Sequence, residues 1–471
     1  MQPENPGPQE PAAKGKWLTL SVIALGTLMA GINASSLNVA NPVLGDFFQI
    51  ELSEVQWVTT IYLLVVSVLM LLLGRIGDRV GGHKIYLGGL IVFSAGSICC
   101  GFSATLTTLI LSRVLQAVGA AMLMATGMGI IINVFPLSQR GMALGINVLV
   151  VALGNMCGPS LGGLILTHYD WPLIFFVNVP FGLLSLLLGL RCLRSSVPPE
   201  QNPPPLDIRG ALLLGVIISA LILFFTGGFA GSRAFIILFL LTLPVFALAE
   251  KKHAAPLWDF ALMANRRFSL GNLVAFFSYC ANMSAAFLFP FFLVDVWHLP
   301  VSAVGGLVMI GAICMAITAP LAGIVSDRIG ALRLMPAALA ILLAGLLVLF
   351  FLGPEPAPLH FALGLGLMSC GMGTLNTPNN SEIMTAAGRK YAGYAGGFVA
   401  TNRNLAFCIG TAASAGAFTI LRRYFALTLP ETEAYLSALR CIIAGASLLA
   451  LISLGICLYL KAGATAKPSA P

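Results

Sequence analysis

Two arginines stand inside long apolar runs with no carboxylate beside them. Arg113 lies in LSRVLQAVGAAM (111–122), and Arg403 lies in TNRN (401–404). A guanidinium stays protonated. At such depth it must line a water-filled space, bind a solute, relay charge, or pair with backbone carbonyls. Gln116 follows Arg113 by one helical turn and shares its face. A third polar stretch, GINASSLNVANPVL (31–44), carries Asn33, Asn38 and Asn41 with Ser35 and Ser36 but no charge. Its amides can hydrogen-bond a solute or a neighbouring helix, and they cannot titrate. A fourth, NLVAFFSYCANMSAAF (272–287), mixes Tyr279 and Asn282 with aromatics. Sites for amphipathic solutes need that mixture. Nearly all of the 17 acidic residues fall in tails and connections. Glu382, in NTPNNSEIM, is the candidate titratable group. Its alternative role is a helix-end carboxylate neutralising Arg389 or Lys390.

These groups need helices to hold them, and composition says which kind. Of 471 residues, 58% are apolar and 9% charged, with a mean hydropathy of +0.95. Soluble domains run nearer a quarter charged, so the chain is expected to use lipid as its solvent. Runs of about 20 apolar residues, enough to span a hydrocarbon core, recur throughout. The chain reads as an all-α polytopic membrane protein with fourteen spans. An even number puts both termini on one side, and most of the Lys and Arg then fall in the cytoplasm, as the positive-inside rule requires. The net charge of +8 is scattered singly rather than gathered into a stripe, so no nucleic-acid partner is expected. The ten cysteines show no CxxC spacing, and the five histidines make no metal set. No phosphate loop or other enzyme signature appears, so neither a cofactor nor an enzymatic activity is expected.

An internal repeat organises the spans. GRIGDRVGGHK follows the second, and GIVSDRIGALR follows the tenth. Gly74, Asp78, Arg79 and Gly81 in the first copy match Gly323, Asp327, Arg328 and Gly330 in the second. The glycines permit tight turns, while Asp78, Arg79, Asp327 and Arg328 can pair with helix ends across an interface. The layout predicts a tail (1–16), a six-helix bundle (17–193), a proline-rich linker (194–209), two inserted helices (210–250), a connection (251–267), a second six-helix bundle (268–460) and a tail (461–471). Parallel six-helix repeats with a midplane site between them are one transporter build.

Several motifs in order carry a resemblance. GRIGDRVGGHK, LSRVLQAVGAAM, GNMCGPSLGG (154–163), QWVTTIYLL (56–64) and WPLIFFVNVPFG (171–182) resemble those of the major facilitator superfamily, in its fourteen-helix drug:proton antiporter branch. The resemblance implies the major facilitator fold. It also implies alternating-access export of small amphipathic compounds, protons as a coupling ion, a monomer in the plasma or inner membrane, and gating by the repeated loop motif. Gly154, Gly158, Pro159, Gly162 and Gly163 correspond to the fifth-helix motif associated with antiporters, and their spacing suits close helix packing. The branch has a first-helix pattern L-D-x-T-x-x-N-x-A-x-P, matched here by INASSLNVANP (32–42). Asn33 occupies the acidic position, so this residue cannot carry a proton. An exporter or exchanger of organic anions using Arg113 and Arg403 is therefore an alternative. A non-transporting membrane sensor that keeps the fold is another.

Overall fold

The computed structural model describes residues 15–193, 207–226, 228–253, 258–388 and 391–465. Most of the predicted linker, the side chain of Asp78, and Arg389 and Lys390 lie outside the described residues. Within them the secondary structure is helical, with no strand. The first group is α1 (Lys16–Phe48), α2 (Leu52–Val80), α3 (Gly82–Gly101), α4 (Leu106–Val134), α5 (Leu137–His168), α6 (Leu173–Phe176) and α7 (Asn178–Cys192). A hairpin of α8 (Ile208–Thr226) and α9 (Gly228–Lys252) follows, then the short α10 (Phe260–Met263). The last group is α11 (Arg266–Ala286), α12 (Phe289–Asp295), α13 (Val301–Ile329), α14 (Ala331–Phe350), α15 (Pro358–Ala387), α16 (Ala392–Phe425) and α17 (Glu431–Thr465).

Among the described residues, twelve helical stretches are long and apolar enough to cross a membrane. The other two expected spans fall on α2, whose apolar part is Glu54–Met70, and on the 32-residue α5. Two expected spans are interrupted. The sixth breaks at Val177 into α6 and α7, and the ninth breaks at Phe287 and Leu288 into α11 and α12. Pro180 and Pro290 explain this, since neither has the N–H that a continuous helix would use there.

The two groups of helices are built alike. In the first, α3 packs on α4 and α2 packs on α4; in the second, α14 packs on α15 and α13 packs on α15. Glycines set the close approaches at matching places. Gly96 faces the backbone of Gln116 and Gly119 that of Phe93, while Gly345 faces Met368 and Gly371 faces Leu342. The repeated loop motif also turns alike. Gly81 (φ 106°) separates α2 from α3, and Gly330 (φ 89°) separates α13 from α14. Both angles are ones that a Cβ would strain. Each group encloses its own apolar core, one around Phe93, Leu90 and Tyr86 and the other around Phe292, Leu342 and Phe361.

Two seams join the groups. On one side α5 lies against α13. A Cβ on Gly305 would come within 2.6 Å of the Pro159 carbonyl oxygen, and one on Gly163 within 3.1 Å of the Val301 oxygen. The Ser160 hydroxyl also donates to Met309 Sδ at 2.7 Å. On the other side α2 meets α16, and α8 packs on both. Leu64, Ile218, Ile222, Cys408 and Ala412 form one apolar cluster there. The partner helix α9 turns Leu240, Leu241 and Leu248 outward, as lipid-facing sequence does.

The Gly81 and Gly330 turns share one end of the molecule, the motif end. The cross-seam contacts of Gly163 and Ser160, and an ion pair between Glu51 of the α2 start and Arg423 of α16, lie toward the opposite, far end. At the motif end Asp327, Arg328 and Gly330 are exposed. The halves are thus joined toward the far end, and among the described residues Asp327 and Arg328 make no hydrogen bond or ion pair.

Candidate functional site

Arg113 is placed by the start of its helix. Thr105 caps α4 by accepting the Thr108 N–H at 3.2 Å, and the Thr108 hydroxyl accepts the Thr105 N–H in return. This reciprocal cap fixes the helix register, so Arg113 and Gln116 point between α1 and α2. The absence of a side chain at Gly96 lets α3 approach, which brings Ser97 to 2.7 Å from Gln116 Nε2 as its acceptor.

A buried network results. Arg113 Nε donates to the Val58 carbonyl at 3.0 Å, and its Nη1 donates to Gln116 Oε1 and to Asn33 Oδ1 at 3.5 Å. Asn33 Oδ1 also accepts from Gln116 Nε2 at 3.2 Å and Asn178 Nδ2 at 3.4 Å. Three donors on one oxygen fix the orientation of that amide. The guanidinium carbon lies 4.3 Å from the centre of the Tyr62 ring and 5.8 Å from that of Phe175. Cation–π contacts of this kind gain strength when desolvated. Arg113 and Asn33 are each 1% exposed, so neither faces an open path in this conformation. The expected solute contacts of Asn33, Arg113 and Gln116 are here replaced by contacts with one another. The physical reason is that a buried guanidinium without a carboxylate recruits every acceptor and ring within reach.

The fifth-helix motif divides its work between two neighbours. Gly154 and Gly162 pack on Gly31 and Ser36 of α1, and Gly158 packs on Ser35. The Ser36 hydroxyl donates to the Gly158 carbonyl at 3.0 Å. Pro159 and Gly163 instead face α13. The motif therefore holds α1 within one half and makes the seam with the other.

A second polar cluster lies in the other half. The Tyr279 hydroxyl on α11 donates to Asn376 Oδ1 on α15 at 2.7 Å, and Asn380 Nδ2 donates to the same oxygen at 3.0 Å. Phe407 of α16 meets the Tyr279 ring edge-on at 5.4 Å. Arg403 precedes Phe407 by one turn on the same face, within electrostatic reach of Tyr279. It is half-buried and makes no hydrogen bond or ion pair among the described residues. Around it, Asn402 Nδ2 donates to the Asn272 carbonyl at 2.9 Å and Asn379 Nδ2 to the Gly271 carbonyl at 3.2 Å. These bonds tie α11 to α15 and α16.

The remaining expected residues are placed apart from both clusters. Asn282 is half-buried on α11, a turn toward the far end from Tyr279. Asn38 is half-buried on α1. Glu382 lies near the motif end of α15, where Arg267 Nη1 approaches its Oε1 at 3.6 Å. Its ionic partner is thus on α11. Gly74 packs on Ala125 of α4 as Gly323 packs on Thr377 of α15, and Arg79 is half-buried beside the Gly81 turn. Asn178, Ser97, Tyr62, Asn376 and Asn380 complete the clusters without having been singled out in the sequence. Asn178 and Tyr62 stand in the quoted stretches WPLIFFVNVPFG and QWVTTIYLL, and Asn376 and Asn380 stand in NTPNNSEIM. The available signals were the lone amide Asn178, the phenol of Tyr62 and the three asparagines of NTPNNSEIM. None of the acidic residues reaches either cluster among the described residues.

Known proteins share this build. Residues 23–411 match the Major Facilitator Superfamily. The chain is 38% identical to the riboflavin transporter RibZ of Clostridioides difficile (strain 630) over 431 residues, covering 90% of this chain and 93% of that protein. It is 30% identical over 402 residues to the multidrug resistance protein Stp of Mycobacterium tuberculosis (strain CDC 1551 / Oshkosh), covering 84% and 74%. A crystal structure of a peptide transporter, POT, superposes with a TM-score of 0.69 at 16% identity, covering 95% of each chain.

Proposed function

Because the chain belongs to the Major Facilitator Superfamily, we propose that it is a secondary transporter exporting small amphipathic organic compounds by alternating access between its two halves. The reading includes fourteen spans with both termini in the cytoplasm, in the plasma or inner membrane, as a monomer of the drug:proton antiporter branch. Transport, membrane spanning and family follow from relatives and fold; the rest is this proposal.

One observation carries the substrate class. Two arginines lie well inside helices, while the acidic residues stand in connections or toward helix ends. Such an interior has a positive potential and repels cations. It suits neutral or anionic amphipathic molecules held by amides, a phenol and aromatic rings. A riboflavin transporter among the relatives makes riboflavin the first compound to test, and drug-resistance relatives support aromatic drugs as a class. With Asn33 unable to titrate, Glu382 is the proposed proton carrier.

The test is flux into proteoliposomes under an imposed pH gradient, comparing riboflavin, an anionic dye and a cationic dye. The proposal expects the first two to move and the cationic dye to be excluded. Gradient-driven accumulation should disappear in Glu382→Gln. Gradient-independent anion exchange lost in Arg403→Ala would favour the organic-anion exchanger instead. No flux of any compound would remove the transporter reading in favour of a sensor.

A further inference from the structure

We propose that Asn376, with Arg403 and the Tyr279–Phe407 ring pair, forms a subsite for one edge of a planar aromatic solute bearing ring carbonyl oxygens. This rests on the transporter reading above and names the part of the solute that the second half recognises.

The Asn376 amide has two neighbours on one side. Its Oδ1 accepts from Tyr279 and from Asn380, at 2.7 and 3.0 Å. In this orientation Nδ2 is turned away from both partners. Oδ1 is committed, and Nδ2 makes no hydrogen bond among the described residues. Asn376 is only half-buried, so that Nδ2 can meet a solute. Arg403 supplies further donors from α16, again without a described partner. The unpaired acceptors Asn272 Oδ1, Asn379 Oδ1 and Asn380 Oδ1 are buried, whereas the half-buried Asn376 Nδ2 and Arg403 guanidinium are donors, so the complementary group carries oxygen acceptors and no positive charge.

The shape follows from the rings. Phe407 is half-buried and stands edge-on to Tyr279, with interplanar angle 84°. A flat aromatic solute can stack against the half-buried Phe407, which the buried Tyr279 ring backs, and its carbonyl edge then meets Asn376 and Arg403. Arg113 does not supply this contact, since it is 1% exposed and bonds Val58, Gln116 and Asn33 within its own half. The two arginines thus divide their roles. Arg113 holds helices together, and Arg403 reads the solute.

The experiment measures binding to the full chain in nanodiscs by fluorescence quenching. The probes are riboflavin, its ring system without the sugar-alcohol chain (lumichrome), and ribitol. Wild type should bind riboflavin and lumichrome, and ribitol should not compete. Asn376→Asp keeps the acceptor for Tyr279 and replaces the free donor by an oxygen. It should weaken both ligands at least about tenfold, the size of one lost hydrogen bond to a desolvated acceptor. Arg403→Gln should do the same while melting at the wild-type temperature. Unchanged affinity in both variants overturns the proposal. Failure of wild type to bind either ring compound while it still moves an unrelated dye overturns it too, and leaves the transporter reading standing. If nothing binds and nothing moves, both fall together.

Discussion

Arg423 on α16 and Glu51 at the start of α2 join the two halves by an ion pair. One Nη2 donates to both carboxylate oxygens, at 2.5 and 2.7 Å. Glu51 also caps α2 in a reciprocal box with Glu54. The contact spans the seam at the far end, so it exists only while that end is closed. Both side chains are more than half exposed, and such pairs are worth roughly 0–1 kcal/mol. The prediction is that Glu51→Gln or Arg423→Gln raises the population open at the far end about two- to fivefold. Labelling of a far-end cysteine would report it. The exchange variant E51R/R423E should return labelling toward the wild-type rate, and no change in any of the three would show that the pair does not latch the halves.

The Arg113 network predicts a stability gain from the acid it lacks. Asn33→Asp would place a carboxylate against Nη1 of Arg113, which now has only neutral acceptors. Charge-assisted bonds contribute about 1.5–3 kcal/mol, so the variant should melt several degrees higher. The gain should vanish in N33D/R113Q. A lower melting point for Asn33→Asp alone would mean that desolvating the new charge outweighs the pairing.

Two glycines of adjoining seams should fail differently. Gly158→Ala places a methyl on Ser35 within one half, and overpacking costs about 1–3 kcal/mol. Its effect should be a lower melting temperature. Gly305→Ala places one on the Pro159 carbonyl, across the seam. It should leave melting nearly unchanged and slow transport, since it disfavours only the conformation with the far end closed. Equal losses of stability in both would contradict this division.

Asp327 is exposed in the present conformation. If the repeated motif acts only when the motif end closes, Asp327→Asn should melt like wild type yet transport several-fold more slowly, an effect of about 1 kcal/mol on the conformational equilibrium. Wild-type flux from a well-folded Asp327→Asn would dissociate the motif from gating.

The repeat was legible because Gly81 and Gly330 make the same turn in both copies, and glycine at such positions is a local requirement. Arg113 was legible because a charge in an apolar run stands out from its neighbours. Its network was not. Asn178 lies 145 residues from Asn33, and nothing in the local spacing of either says that they meet. Asn376 and Asn380 share a motif with Glu382, and the carboxylate drew attention because titration is a property of one residue. Orientation of an amide by two donors is a property of three helices, and no single segment records it. Whether Asn33 bonds a solute or a neighbouring helix was open for the same reason, since its burial depends on α2, α4 and α7 arriving around it.

The seams have unequal mechanics. Where α5 crosses α13, backbone rests on backbone at Gly163 and Gly305, with no side chain there to compress. Where α2 crosses α16, the surfaces meet through leucine and isoleucine, with α8 laid along the join. A rigid fulcrum on one side and a greased, covered slide on the other would bias the direction of rocking. Lipid would then be kept out of the sliding side by the inserted hairpin, which gives those two helices work that the symmetric halves cannot do for themselves.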